Sequence, residues 1–380
     1  MSDITTTPQV AILGTRGIPA AHGGFETFAE RLALHCVARG WSVCVYCQIE
    51  DGRGVREDIW NGVRRVQIPV SIPGAIGTVV FDWKATRHAA RTATLALTLG
   101  YNTAAFTALY RLRRIPNVIN MDGLEWKRDK WAWPQKIWLW FNERLGCWFG
   151  NHLIADNPHI ADHLATRVSR TKITMIPYGA DAVDGGDTAV LSRFGVEPHG
   201  YALVVARPEP ENSILEVVRA FVRRPRRERL VVLGDVRPEA GEYQRAVREA
   251  ATQAICFPGA IYDRSIVETL RYYAGVYVHG HRVGGTNPSL VEALAASSPV
   301  LAHDNPFNRW VAGAAARYFS DEPSCARALD DVLGDGALRA WMRVESRRRY
   351  EEAFRWERIL AQYEELLHQW HERASRPGSR

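Results

Sequence analysis

A chain of 380 residues, 46% hydrophobic and 24% charged, has material for two domains with cores of their own and is neither a disordered nor a fibrous sequence. Its formal charge of +6 invites anionic partners, for which a nucleotide sugar, an acidic membrane surface and nucleic acid all qualify. Nearly all the cations are Arg, and the few Lys, from Lys84 to Lys172, fall in the first half.

The opening M-S-D-I-T-T-T-P has neither the basic region nor the apolar core of a signal, and no later run approaches the length of a membrane span, so a cytoplasmic protein is expected. Residues 10–13 form a short apolar strand. G-T-R-G-I-P-A-A-H-G-G-F-E follows, then an amphipathic helix carrying Phe28, Leu32, Ala33 and Cys36. Strand, glycine turn and helix make a Rossmann-like opening, although the spacing is not that of a dinucleotide fingerprint. Gly14, Gly17, Gly23 and Gly24 let backbone approach a phosphate or sugar, and Arg16 and Glu26 are the charged candidates beside them. The loop is longer than a minimal connection, which argues for a task beyond joining two elements.

Strands over 42–47 and 63–68 continue the alternation. Cys44 and Cys47 form a C-x-x-C within the first of these, where their odd offset points them to opposite faces and against a zinc or redox site. The strand over 115–121 ends in D-G-L-E-W-K-R. Open α/β sheets place ligands at strand ends, so Asp122, Glu125 and Arg128 are candidate site residues, with a plain Asp-Gly turn as the alternative for Asp122. From 126 to 149, six Trp (Trp126, Trp131, Trp133, Trp138, Trp140, Trp148) interleave with Lys127, Arg128, Lys130, Lys136 and Arg144. The run 137–141 is apolar all round a helix, so one face enters a core and the other needs different cover. Trp with Lys and Arg is the composition of a membrane interface, with a buried core helix as the alternative and a surface for single-stranded nucleic acid ranked below the lipid.

A strand at 152–156 and another from 173 lead to the polar, glycine-rich 181–188, read as a linker with the domain boundary near Asp184. A fresh series then begins: strand 201–207 ending in Arg207, helix 214–223, and strands 230–233 and 255–257. F-P-G-A-I-Y-D follows the last of these, with Tyr262 placed either to stack on a base or to fill a corner.

The densest stretch is H-G-H-R-V-G-G-T-N-P-S-L-V-E, residues 279–292. It reads as a strand end, a turn in which Gly284 and Gly285 admit geometry a Cβ would block, and a helix capped by Thr286 or Asn287 with proline at its first turn. Such a helix N-terminus attracts phosphate, and Glu292, one turn further in, is placed to accept hydrogen bonds from a ribose. At the end of the chain, Trp356, Ile359, Tyr363, Leu366, Leu367 and Trp370 recur at helical spacing as a core stripe.

Glu292-Ala293-Leu294 with Ala295, Ser297, Pro299 and Val300 resembles the E-A-x-A-x-G-x-P-V run of the retaining glycosyltransferase family 4. G-G-T-N-P-S-L-V-E, G-T-R-G-I-P with G-G-F-E-T-F, and D-G-L-E-W-K-R resemble its bacterial rhamnosyltransferase branch. The resemblance covers nearly the whole chain. It implies a GT-B fold of the α/β class, two Rossmann-like domains facing across a cleft, with the terminal helix packing back on the first domain. It implies that Glu292 binds the donor ribose, that Arg207 binds the donor diphosphate, that the first glycine loop faces the cleft, and that the nucleobase lies near Tyr262. Two departures stand out. The wider family has a second Glu where this chain has Gly284, and a Lys where it has Asn212; His279, His281 or Arg282 is the expected replacement for the missing cation.

The expected organisation is an acceptor-binding domain over 1–183, a nucleotide-sugar-binding domain over 184–350 and a crossing helix over 351–380. The expected function is transfer of a deoxysugar, L-rhamnose from dTDP-β-L-rhamnose, with retention onto a saccharide or polyprenyl-diphosphate-linked acceptor in cell-surface polysaccharide synthesis. Asp122, Glu125 and Arg207 are the catalytic candidates. Gly17, Gly23, Gly24, Arg16, Tyr262, His279, His281, Gly284, Gly285, Thr286, Asn287 and Glu292 are the donor-binding ones. Glu26, Trp126, Lys127, Arg128, Lys130 and Trp131 face the acceptor or membrane, at the inner face of the cell membrane. No cofactor beyond the nucleotide-sugar substrate, no metal and no nucleic-acid partner is expected. A UDP- or GDP-sugar donor is the first alternative, and a NAD-dependent oxidoreductase the second. Against the latter stands Cys47-Gln48 at the end of strand two, where an acidic residue belongs.

Overall fold

The computed structural model describes residues 7–21 and 23–375. They form two compact units: 7–126, Trp133–Ile176 and 357–375 make the first, Lys127–Ala132 and Pro177–Trp356 the second.

Among the described residues the first unit holds eight strands: β1 Gln9–Leu13, β2 Ser42–Ile49, β3 Arg56–Trp60, β4 Val63–Pro69, β5 Ala96–Leu99, β6 Asn117–Asn120, β7 His152–Ala155 and β8 Ile173–Met175. Their order is β3-β4-β2-β1-β5-β6-β7-β8, parallel except for β3, which pairs antiparallel with β4 at the edge. Residues 10–13 of β1 and all of β6 and β7 are buried, as continuous apolar strands covered on both faces must be. The edge hairpin differs: Glu57–Arg64 and Asp58–Arg65 ion pairs cross it at 2.7 and 2.6 Å.

The second unit holds β9 Tyr201–Val205, β10 Arg229–Leu233, β11 Ile255–Gly259, β12 Val276–His279, β13 Val300–His303 and β14 Ala316–Phe319. All pair in parallel, in the order β11-β10-β9-β12-β13-β14. One side of this sheet is closed by a core around Tyr277, Leu290 and Leu294, the other by one around Val217, Phe221 and Leu329. Both sheets are Rossmann-like. The segment 181–188 lies along this unit: Asp184 pairs with Arg347 at 2.7 Å, Asp181 pairs with Arg264, and Val183 is buried.

The terminal helix Trp356–Ser375 returns to the first unit from Glu357 onward. Tyr363 is buried against Phe28, ring centroids 4.6 Å apart, and its hydroxyl accepts from Asn120 Nδ2 at 2.8 Å. Glu364 meets His35 at 2.8 Å. Ile359, Leu360, Leu366 and Leu367 complete the buried stripe, while Trp370 is half-buried. Trp356 stays with the second unit, edge-on to Tyr178 and so close to Gly179 that a Cβ there would lie 2.7 Å from its ring.

Gly14 shows why the first loop needs glycine. Its φ is +83°, and a Cβ would sit 2.0 Å from the Leu99 carbonyl oxygen. Gly40 has a similar φ of +84° with nothing within 4 Å. Gly40→Ala is therefore expected to cost about 1 kcal/mol, the backbone penalty alone, and Gly14→Ala about 3 kcal/mol or more. Urea unfolding of the two variants checks this; equal losses would mean that the contact with Leu99 yields freely.

Candidate functional site

In the second sheet the winding reverses between β9 and β12. The crossovers from β9 run to β10 and β11 on one side, and β12 begins the other side. Helices following β9 and β12 therefore run to opposite faces, and open sheets form their ligand crevice at the carboxyl ends beside such a reversal. Arg207 follows β9. The loop after β12 carries Gly280, His281, Arg282 and the Gly284–Gly285 turn, then the helix Pro288–Ala295. Asn287 caps that helix, its side chain accepting from Ser289 N at 3.0 Å, with Pro288 at the first position. Gly284 has φ +155° and open space where a Cβ would be, so the missing family Glu leaves a free corner. Gly285 and Thr286 are buried.

The two loops brace each other. Arg282 donates its backbone N–H to Glu211 O at 2.9 Å and its guanidinium to Pro210 O at 2.6 Å. A Cβ on Gly280 would lie 2.2 Å from Asn212 O. Asn212, at the position of the family's Lys, donates its amide to Arg207 O at 2.8 Å and so fixes the turn that presents Arg207.

His279 and His281 stack in parallel, centroids 4.2 Å apart at 7°. Burial drives both well toward neutrality. His279 lies far below the ordinary range, with His281, Arg271 and His303 adding to the push; His281 falls to about 3 through burial and then the charges of Arg128 and Arg207. Of the three groups expected to replace the missing cation, burial holds the two rings toward neutrality, while Arg282 is a guanidinium. Both ring nitrogens of His279 and both carboxylate oxygens of Glu211 are buried without a hydrogen-bond partner. Glu211 is pushed up by burial and by neighbouring Glu209. Such unmet polar demand gathered at a strand-end crevice marks a ligand site.

Glu292 sits one turn into the Pro288–Ala295 helix, but it is also structural. Its carboxylate meets the buried Arg271 at 2.6 Å. Arg271 also donates to Ser289 Oγ at 3.0 Å, and that hydroxyl bonds Tyr277 OH at 2.7 Å. Sequence reasoning missed Arg271, Ser289 and Tyr277 as the groups that orient Glu292. The available signal was an arginine on the buried face of the helix Arg264–Tyr272, beside Ile266, Thr269 and Leu270.

The remaining residues divide between the units. Arg128 belongs to Lys127–Ala132, which groups with the second unit together with Lys127, Lys130 and Trp131, and its charge reaches His281 and Glu211. Tyr262 follows β11 and is 70% exposed, so it does not fill a corner. In the first unit, Arg16 lies after β1, Gly17 packs against Cys47, and Gly23 precedes the helix Gly24–Ala38, with Glu26 in its first turn. Asp122 follows β6 in left-handed backbone at φ +50°, its N–H held by the Asn120 side chain at 2.9 Å. Glu125 is buried, its N–H donated to Tyr101 OH at 2.8 Å. Trp126 donates to Glu143 at 2.6 Å. Glu143 itself is buried on the helix Trp133–Phe149; burial raises it, yet bonds from His163 and Trp126 hold the carboxyl below the usual range. That helix turns Trp133, Ile137, Trp138, Trp140, Phe141 and Trp148 outward, Trp133 74% exposed, with Arg144 lying 3.3 Å over the Trp140 ring. No helix among the described residues is long and apolar enough to cross a membrane, and none of their His, Cys, Asp or Glu side chains gather in threes to hold a metal ion.

The neutral histidines carry a pH signature. His281 titrates near 6.5 in an unfolded chain and about 3 here, so its contribution is whole above pH 6.5 and is lost as the pH falls toward 3. At pH 5 the loss from this ring is about 2 kcal/mol. Urea unfolding at pH 7.5 and pH 5 is expected to show that fall, and His281→Asn to reduce it; an identical pH dependence in the variant would mean that the ring protonates freely in the folded state.

Residues 7–181 match a family model described as a domain of unknown function, DUF1972, and residues 195–353 match Glycosyl transferases group 1. No curated protein sequence is significantly similar to the chain. Sucrose-phosphate synthase from Thermosynechococcus elongatus superposes with a TM-score of 0.80 at 18% identity, over 95% of this chain and 98% of that one. HepE from Anabaena, solved in complex with UDP and glucose, gives 0.74 at 14% identity over 95% and 100%. An α,α-trehalose-phosphate synthase (UDP-forming) from Burkholderia vietnamiensis gives 0.72 at 11% over 96% and 100%. These likenesses establish the fold, which is GT-B. Together with the group 1 match over the half that holds the crevice, they support a glycosyltransferase of GT-B architecture.

Proposed function

We propose that the chain transfers a hexosyl group from a nucleoside-diphosphate sugar with retention, and that the group is L-rhamnose carried by dTDP. The observation that carries the donor class is the crevice at the sheet reversal, where Arg207, Arg282 and the Asn287-capped helix N-terminus converge with an oriented Glu292. The diphosphate binds the cations at the positive end of the helix dipole, and the ribose hydroxyls bond Glu292. As the bond from the sugar's C1 to the diphosphate oxygen breaks, negative charge grows on the diphosphate, and Arg207 and Arg282 stabilise it. The acceptor hydroxyl attacks the same face and yields its proton to the leaving diphosphate, so these residues do the work without a metal ion. Asp122 and Glu125 serve the acceptor side in this reading. The rhamnose assignment rests on the motif G-G-T-N-P-S-L-V-E; a UDP-sugar donor is the second reading, favoured by solved relatives that were crystallised with UDP or named for forming it.

Calorimetric titration with dTDP, UDP, GDP and NAD separates these readings. A nucleoside diphosphate is expected to bind and NAD not; binding of NAD alone would overturn the transferase. Glu292→Gln keeps a hydrogen bond for Arg271 while losing the charge, and is expected to weaken nucleotide binding by about 1–3 kcal/mol. Unchanged affinity would remove Glu292 from the site.

The acceptor in this proposal is a saccharide on a polyprenyl diphosphate, reached at the inner face of the cell membrane. Its support is the outward aromatic face of Trp133–Phe149 with Lys136 and Arg144 on the same helix. The protein is expected to sediment with vesicles rich in anionic lipid, less so in high salt, and Trp133→Ser with Phe141→Ser to release it while nucleotide affinity holds. Wild type that ignores such vesicles at every salt concentration would end the lipid-acceptor reading.

A further inference from the structure

The first sheet reverses its winding too, between β1 and β5, and a cavity of about 90 Å³ opens at their carboxyl ends. That is room for roughly six waters, the scale of one pyranose ring. Its lining includes Thr15, Arg16, Gln48, Phe81, Asp82 and Thr103. Asp82 comes from the helix Gly74–Thr92, and Thr103 Oγ1 donates to its Oδ2 at 2.8 Å. The loop that brings Thr103 is itself fastened: Gly100 N donates to Asn120 O at 2.9 Å, and Trp138 Nε1 to Asn102 O at 2.8 Å.

The lining selects by chemistry. A carboxylate repels a phosphate, and hydroxyl and amide side chains disfavour a hydrocarbon. Five threonines, two amide side chains, one carboxylate and one arginine around a phenylalanine and two leucines suit a neutral molecule that alternates hydroxyl and C–H groups. Burial lifts Asp82 to about 6, against the hydrogen bond from Thr103, so the carboxyl is mostly ionised at neutral pH and accepts hydroxyl donors. Arg207, Arg282, Asn287 and Glu292, which serve the donor in the proposed function, are not in its lining.

We infer that the cavity between the β1 and β5 loops is a monosaccharide subsite in which Asp82, steadied by Thr103, accepts hydrogen bonds from sugar hydroxyls. It rests on the transferase reading only for its purpose, which is to hold one sugar ring of the acceptor; binding itself does not depend on that reading.

The test is ligand-observed NMR on the full chain with the methyl glycosides of D-glucose, D-galactose, D-mannose and L-rhamnose, beside a separate titration with dTDP and UDP. At least one glycoside is expected to bind wild type. Asp82→Asn is expected to weaken it about tenfold and Thr103→Val by a smaller factor, with nucleotide affinity unchanged in both. Thr103→Val leaves the carboxylate in place, so it decides the matter should Asp82→Asn fold poorly. If no glycoside binds wild type, or if both variants bind as wild type does, the subsite is overturned. A chain that binds glycosides in an Asp82-dependent way but takes no nucleotide upholds the subsite and overturns the transferase reading instead.

Discussion

A parallel sheet buried on both faces has to be wound in two directions, since helices that all crossed on one side would leave the other face in water. The winding therefore reverses once per sheet, and at that point two neighbouring strands send their loops apart. Here this happens twice, between β9 and β12 and between β1 and β5. Backbone pairing thus produces both depressions before any side chain is chosen. Selection acts on what lines them: arginines, a capped helix end and an oriented carboxylate in one, hydroxyls and a single carboxylate in the other.

Much of this was legible in the sequence because it depends on local rules. Apolar runs at 10–13 and 276–278 are buried strands, the Asn287-Pro288 pair is a helix start, and the stripe ending at Trp370 is a helix that returns to the first unit. β3 was not legible. Its acidic pair, Glu57 and Asp58, is satisfied by Arg64, Arg65 and Gln67 across the hairpin. The orientation of Glu292 was also beyond reach, since Arg271 stands 21 positions earlier on another helix. Asn212 looked like a lost cation. Its real task, holding the Arg207 carbonyl, depends on a turn whose shape no composition rule supplies.

The histidine pair shows how burial changes the meaning of a residue type. Beside a nucleotide, His reads as a cation in waiting, and with water withdrawn it becomes a neutral, polarisable plane. The tryptophan-rich helix shows the converse. Its inner face is more polar than its outer one, with Asn142 and the ion-paired Glu143 inside and Trp133 and Phe141 outside. A residue's hydrophobicity did not decide its side there; the need to anchor His163, Arg167 and Trp126 did.

The return of Glu357–Ser375 to the first unit has a consequence for how the chain comes into being. The hydrogen bond from Asn120 to Tyr363 spans 243 positions, and Phe28 and Trp41 find aromatic partners in the same last helix. During synthesis the second unit has all its residues out of the ribosome while the first still lacks the helix that covers Phe28 and Trp41. The part made first is therefore the part completed last, and its open face must be kept from other chains for the whole time that some two hundred further residues are added.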